Sequence, residues 1–188
     1  MNYNAVEDVL RGELPEGMMI DQRKWQNYLN IKKGIYYTLD RSHVDVNMIS
    51  EANWVLRKDG LSCESFGVNV MVGNICYIDF GQAYLNEIGY QHFGLVMSFC
   101  QRKALIIPMT SNSVQYENAY DAKDNPDGKR NLFRIGMIEG MNKPSVLFLN
   151  DAKYINTARI IDVKAYIDPH SKLFREIQQR LLAIMFKI

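Results

Sequence analysis

The hydrophobic pattern of the first sixty residues is helical. Apolar and aromatic residues recur at three- and four-residue steps over residues 25–39, and the same step is clearer over residues 48–56. This period is that of the apolar stripe on an amphipathic helix. Gly60 is a typical residue just beyond a helix C-terminus. We therefore predict two helices here, and a shorter helix at residues 4–11 that ends before Pro15.

The pattern changes after Gly60. Runs of β-branched and aromatic residues are now separated by turn residues at short intervals, which is typical of a small antiparallel sheet. Residues 101–103 read as a tight hairpin link, and residues 110–130 as a polar loop rich in turn residues. The predicted strands are residues 69–80, 93–100, 104–109, 132–138, 145–149 and 159–167.

The C-terminus predicts one closing helix. Residues 168–171 form a helix-start signal, and the apolar residues that follow lie on one broad helical face. We predict that this helix packs on the sheet. The fold class is therefore mainly β with helices: a small barrel with a C-terminal helix at residues 67–188, preceded by a helical N-terminal extension at residues 1–66.

Composition and charge narrow the class of protein. The chain has 188 residues, 47% of them hydrophobic and 23% charged, which is typical of a globular protein. No segment supplies the roughly 20 apolar residues of a membrane span, and the N-terminal residues lack the pattern of a secretory signal. We therefore expect a cytoplasmic protein without membrane contact. The net charge of +1 does not by itself demand a nucleic acid partner.

The three cysteines predict neither a disulfide framework nor a zinc site. Cys63, Cys76 and Cys100 are odd in number and have no C-x-x-C spacing. We interpret them as free and mostly buried thiols. The chain has no H-E-x-x-H, P-loop, G-x-G-x-x-G or G-x-S-x-G motif. We therefore predict no metal ion and no cofactor.

The loop between the first two strands is the most informative segment. Residues 81–92 are too many for a plain hairpin, and long ordered loops inside compact domains are often functional. His92 stands at the end of this loop, where the next strand begins. From composition alone, a core or surface histidine is the default interpretation of His92.

Five segments share their order with a known family, namely residues 73–80, 87–98, 107–111, 144–149 and 155–157. Together they resemble the MazF/PemK family of toxin endoribonucleases from toxin–antitoxin systems. The similarity spans about residues 73–186 and leaves the N-terminal helices unmatched. It implies an SH3-like barrel, commonly a homodimer, that cleaves single-stranded RNA without a metal and is silenced by an antitoxin of protein or RNA.

The resemblance also implies a catalytic set. The family has an arginine after the loop that cooperates with a threonine at the end of the third strand. In this chain His92 stands at the arginine position, and Thr110 retains the threonine. A second family arginine, expected before Thr157, is replaced by Asn156. Since histidine accepts and donates protons near neutral pH, His92 is predicted to act as general base or acid.

The remaining predicted site residues follow from the same resemblance. Thr110 and Ser111 would donate hydroxyl hydrogen bonds to the scissile phosphate, while Glu87 is either a second acid/base or a loop cap. Gln91 would orient the reacting group. The loops on either side would hold RNA by stacking and phosphate contacts, although the alternatives are packing for the tyrosines and a solvated turn for the basic residues. The predicted substrate-binding residues are Tyr84, Asn86, Tyr90, Gln91, Lys129 and Arg130.

Two function classes stay open from the sequence. The first is the metal-independent endoribonuclease toxin. The second is a barrel that has lost catalysis and binds protein or nucleic acid, which the missing arginines favour. A tethered inhibitory role of the N-terminal helices would make the full chain silent and a chain that begins near Gly67 active.

Overall fold

The chain divides into two compact units, residues 1–56 and 57–188. A computed structural model describes residues 5–11 and 21–186; residue 4 of the first predicted helix lies outside them. The described residues of the first unit are mostly helical, as predicted. Asp21 caps one helix by accepting hydrogen bonds from the backbone N–H groups of Arg23 (3.0 Å) and Lys24 (3.1 Å). The helices are α1 (Ala5–Leu10), α2 (Gln22–Tyr36) and α3 (Arg41–Arg57).

The second unit is built on one antiparallel sheet of seven strands, in the order β4-β5-β3-β2-β1-β7 with β6 paired to β3. All six predicted strands are present, but the first begins at Asn74 and not at residue 69, while the ends of the others shift by at most two residues. β6 was not predicted. A short helix, α4 (Ser113–Asn118), lies inside the segment that the sequence predicts as a loop. The strands are β1 (Asn74–Asp79), β2 (Gln91–Cys100), β3 (Lys103–Thr110), β4 (Leu132–Gly136), β5 (Ser145–Phe148), β6 (Lys153–Asn156) and β7 (Ile160–Tyr166).

Five of these strands close a small barrel. β1 pairs with β2, β2 with β3, and the first half of β3 with β6. A 3₁₀ turn, Thr157–Arg159, then leads into β7, which pairs back with β1. The second half of β3 pairs with β5 instead, so that β4 and β5 extend the sheet outside the ring. This arrangement confirms the predicted fold class of an SH3-like barrel with helices before and after it.

Two hydrophobic cores lie on the two faces of the sheet. Cys76 and Ile78 point into the barrel, where they meet residues of β2, β3, β6 and β7. Ile75 points the other way, into a core shared with Phe174 and Ile177 of helix α5 (Lys172–Phe186). Since both faces are covered, β1 to β3 read as nearly continuous apolar runs rather than as alternating ones. The C-terminal helix therefore packs on the sheet, as predicted.

Residues 57–66 contact the barrel. The Arg57 guanidinium donates hydrogen bonds to the carbonyls of Ala158 (3.1 Å) and Ile160 (2.8 Å). The Cys63 N–H donates to Thr157 Oγ1 at 3.2 Å, and the Cys63 side chain joins the barrel core. The structural division at residue 57 thus falls before the predicted domain boundary at residues 66 and 67. Whether residues 67–188 fold alone stays a prediction. In the described residues, no helix is long and apolar enough to span a bilayer.

The three cysteines are free, as predicted, and their accessibility predicts their reactivity. Cys63 and Cys76 are buried, whereas Cys100 is exposed. Burial raises the pKa of the Cys76 thiol to about 12, with smaller contributions from Cys63 and Asp162, so little of it is the reactive thiolate near pH 8. We expect one thiol per chain to react rapidly with dithionitrobenzoate in native protein and three in denaturant. Cys100→Ser should remove the native reaction, and rapid labelling of a second thiol would contradict the burial.

Candidate functional site

The loop between β1 and β2 is closed at its base by backbone hydrogen bonds. The Phe80 N–H donates to the Tyr90 carbonyl at 2.7 Å, and the Tyr90 N–H donates to the Gly81 carbonyl at 2.6 Å. The buried Asp79 carboxylate accepts from the Gly81 N–H (2.8 Å) and from Gln91 Nε2 (3.0 Å). The loop therefore leaves and re-enters the sheet at fixed positions, and the Gln91 side chain serves to hold that base.

The tip of the loop is exposed and locally capped. Tyr84 is 86% exposed and Leu85 is 93% exposed. Glu87 Oε2 accepts from the Tyr84 N–H at 3.4 Å, and the Glu87 N–H donates to the Tyr84 carbonyl at 3.2 Å. Asn86 lies between them with a positive φ of 68°. Of the two roles predicted for Glu87, this geometry supplies the loop cap.

His92 is oriented by the end of the same loop. Its Nδ1 lies 2.7 Å from the Gly89 carbonyl oxygen. A carbonyl oxygen only accepts, so Nδ1 carries the hydrogen in this contact, and in a neutral ring Nε2 is left as the proton acceptor. The side chain is half-buried. This environment suits a proton-transfer group with a fixed tautomer.

The register of β2 and β3 places His92 opposite Thr110. Phe93 pairs with Met109 and Gly94 pairs with Pro108, so His92 and Thr110 stand across from each other one step further along the ladder. Side chains alternate along a strand, and a Cβ on Gly94 would point at Ile106 in the barrel core. His92 and Thr110 therefore share the face of the sheet that forms the barrel interior.

Lys153 joins these two residues, although the sequence did not predict it as a site residue. It stands two residues before the buried Ile155 on β6, and its ammonium lies 5.6 Å from the centre of the Phe80 ring. Its Nζ donates to the Ile88 carbonyl at 3.3 Å. Lys153 and His92 thus bind the carbonyls of two consecutive loop residues, Ile88 and Gly89. We call His92, Thr110 and Lys153 the His92 site.

Asn156, which stands where the family's second arginine is expected, has a structural role. Asn156 Oδ1 caps the 3₁₀ turn by accepting from the Ala158 N–H at 2.8 Å. Thr157 is buried, and its hydroxyl oxygen accepts from the Cys63 N–H. Arg159 is exposed and donates to the Asp79 carbonyl at 3.3 Å, at the base of the loop.

The signal that could have found Lys153 is its two-residue spacing from Ile155, which places an ammonium on the barrel face of β6.

The other predicted site residues have contacts of their own. Ser111 lines an open depression beside α4. Gln91 lies on the opposite face of β2 from His92, since it binds Asp79. Lys129 and Arg130 are exposed in the loop before β4, where the Arg130 guanidinium lies 5.0 Å from the centre of the Tyr120 ring. Within residues 5–11 and 21–186, no three His, Cys, Asp or Glu side chains are grouped as metal ligands.

Comparison with known proteins finds likenesses among solved structures. A Mycobacterium tuberculosis toxin, MazF-mt6, is 11% identical with a TM-score of 0.42, covering 61% of this chain and 97% of that chain. MazF from Deinococcus radiodurans is 14% identical with a TM-score of 0.45, covering 63% and 98%. A MazE-MazF structure from the same organism is 15% identical with a TM-score of 0.41, covering 63% and 97%. No protein-family profile and no curated protein matches the chain.

Proposed function

We propose that this chain is a metal-independent endoribonuclease of the toxin type, which cleaves single-stranded RNA by attack of the 2′-OH at the His92 site. The observations that support the proposal are the strand register that sets His92 across from Thr110 and the hydrogen bonds of His92 and Lys153 to consecutive carbonyls of one loop. His92 has one ring nitrogen fixed by the Gly89 carbonyl and the other left for proton transfer. The motif order of the sequence, which resembles MazF/PemK toxins, supports the same function.

The three side chains supply the parts that this reaction needs. His92 Nε2 accepts the 2′-OH proton while the 2′ oxygen forms a bond to phosphorus and the bond to the 5′ oxygen breaks. The Thr110 hydroxyl and the Lys153 ammonium donate hydrogen bonds to the phosphorane oxygens, on which negative charge develops. The departing 5′ oxygen takes a proton from solvent. The products are a 2′,3′-cyclic phosphate and a 5′-OH. If His92 instead starts protonated and donates its proton to the departing 5′ oxygen, solvent accepts the 2′-OH proton, and Thr110 and Lys153 keep the same roles.

The partners follow from the proposed function. Single-stranded RNA is the substrate, and we propose a toxin regulated by an antitoxin, acting in the cytoplasm as a homodimer. A protein antitoxin is the first partner to test. The substrate-binding set of Tyr84, Asn86, Tyr90, Lys129 and Arg130 stays part of this proposal.

The alternative function is a barrel that binds protein or nucleic acid without catalysis. The exposed Tyr84 and Leu85 side chains at the loop tip favour it, since such residues form contact surfaces. Incubation of the full chain with a mixed-sequence RNA in EDTA separates the two functions. Cleavage is expected for the endoribonuclease. Retention of intact RNA by the folded protein would favour the binding module.

Lys153 is expected to stabilise the transition state. Lys153→Met keeps the length of the side chain but removes its charge, so we expect kcat for RNA cleavage to fall about 10²- to 10³-fold, as for loss of one oxyanion donor. Lys153→Arg should retain most of the activity. Lys103→Met is the matched control, because Lys103 is exposed at the start of β3, whereas Thr110 lies at the end of that strand. Equal kcat values for Lys153→Met and the control would contradict the role, and thermal melting checks the fold of each variant.

A further inference from the structure

An open depression of about 440 Å³ begins at the residue that follows Thr110. It is lined by side chains from the β3–α4 connection, from α4 and from the segment before β5, namely Ser111, Asn112, Ser113, Tyr116, Glu117, Lys143 and Pro144. Thr110 is paired with Val146, and Val146 is paired in turn with Arg134 on β4. Neighbouring strands lie about 4.8 Å apart. The depression and the strand positions behind it are therefore within roughly 10 Å of Thr110 along the same sheet.

Tyr116 is held rigidly at this depression by Arg134. The Arg134 side chain is only 15% exposed, and its Nη1 lies 2.7 and 2.9 Å from the two carboxylate oxygens of Asp124. Its Nε donates to the Tyr116 carbonyl at 2.7 Å, and its Nη2 donates to the Glu117 carbonyl at 3.1 Å. The same guanidinium lies 5.0 Å from the centre of the Tyr116 ring. The ring also packs against the buried cluster of Ala119, Leu132 and Val146. Tyr116 is thus an aromatic side chain held from two sides, and it lines the depression that begins next to Thr110.

The lining favours an uncharged planar ligand over a phosphate. Lys143 contributes one positive charge and Glu117 one negative charge, so the depression is close to neutral. The hydroxyls of Ser111 and Ser113 both donate and accept hydrogen bonds. A nucleobase presents an aromatic face and an edge of donors and acceptors, and protein aromatic side chains are the usual surfaces for unstacked bases of single-stranded RNA.

We propose that this depression binds the base of a nucleotide adjacent to the scissile phosphate, with Tyr116 as its aromatic contact and with Ser113 and Lys143 at its edge. This inference rests on the proposed function, because it takes RNA as the ligand and Thr110 as the neighbour of the scissile phosphate. It assigns sequence preference next to the cleavage site to the α4 segment and not to the loop between β1 and β2.

The test couples a change in the protein to a change in the RNA. His92→Ala protein, which is expected to cleave RNA too slowly to disturb a binding measurement, is titrated with a labelled single-stranded RNA and with a series that carries one abasic nucleotide at each position. We expect one abasic position to weaken binding about 5- to 150-fold, the range for loss of one stacked base. Tyr116→Ala in the same background should weaken binding of the intact RNA by a similar factor and should make binding insensitive to that abasic position.

Controls separate loss of the base contact from damage to the fold. Tyr116→Phe keeps the ring and should bind like the parent, while Ser113→Ala and Lys143→Ala leave Tyr116 in place and should weaken binding only for RNAs with a base at that position. If the loss of affinity from Tyr116→Ala multiplies with the loss from every abasic position, the two changes act independently. That result would overturn the subsite. If wild-type protein cleaves RNA while that coupling is absent, the subsite fails and the endoribonuclease stands. If that coupling is present but wild-type protein does not cleave RNA, the base-binding subsite stands and the endoribonuclease fails.

Discussion

Replacing His92 with alanine is expected to lower kcat for RNA cleavage by about 10²- to 10⁴-fold, the usual contribution of a general acid or base. The substitution removes the nitrogen that moves the proton, together with the hydrogen bond from Nδ1 to the Gly89 carbonyl. The measurement is single-turnover cleavage of a labelled RNA in EDTA. His170→Ala is the matched control, since His170 is exposed just before α5 in the same unit. Activity of His92→Ala equal to that of the control would remove His92 from the mechanism.

A modified substrate distinguishes the two proton transfers open to His92. In an RNA with sulfur in place of the departing 5′ oxygen, the thiolate leaves without being protonated. If His92 is the acid, this substrate should restore cleavage by His92→Ala to near the wild-type rate. If His92 is the base, the defect should persist, because the 2′-OH still has to lose its proton. We expect the defect to persist, since the mechanism uses Nε2 as the acceptor.

Replacing Gly73 with alanine is expected to give the largest decrease in the free energy of unfolding among the substitutions proposed. Gly73 has a φ of 91°, and a Cβ there would lie 2.2 Å from the carbonyl oxygen of Ile167. Two hydrogen bonds hold the backbone of Gly73 and Ile167 in place. The Gly73 N–H donates to the Val96 carbonyl and the Ile167 N–H donates to the Gly73 carbonyl, both at 2.9 Å. Strain from the backbone angle and overpacking together predict a decrease of about 3 kcal/mol in the free energy of unfolding.

Gly136→Ala separates the two sources of that loss. Gly136 has a φ of 69°, but nothing lies within 4 Å of a Cβ built on it. The variant should therefore lose only about 1 kcal/mol, from the backbone angle alone. Chemical denaturation of both variants measures the difference. Equal losses would show that the Ile167 carbonyl moves aside without cost.

The fold was predictable where burial acts on long segments. β1 to β3 are covered on both faces and β7 pairs along β1, so their apolar runs were visible in the sequence. β6 has only four residues, of which one is buried, and its role depends on barrel closure that no local pattern shows. α4 has six residues and no buried side chain, so it carries no apolar stripe. Its start at the capping residue Asn112 was indistinguishable from a turn.

The candidate site was predictable only in part, because register and side-chain direction are tertiary properties. The order of motifs pointed to His92 and Thr110, but their position opposite each other comes from the pairing of β2 with β3. Gln91 directly precedes His92, yet strand alternation turns it to the other face, where it binds Asp79. Lys153 lies far from His92 in sequence, but both side chains bind carbonyls of the same loop.

The most direct test of the endoribonuclease is cleavage of one RNA and of its copy with a single 2′-deoxy nucleotide on the 5′ side of the mapped cleavage site. Both are incubated with the full wild-type chain in EDTA. Attack by the 2′-OH predicts that the all-ribose RNA is cut to a 2′,3′-cyclic phosphate and a 5′-OH, and that the deoxy copy resists at that site. Equal cleavage of the two substrates, or no cleavage of either by the folded protein, would contradict the account.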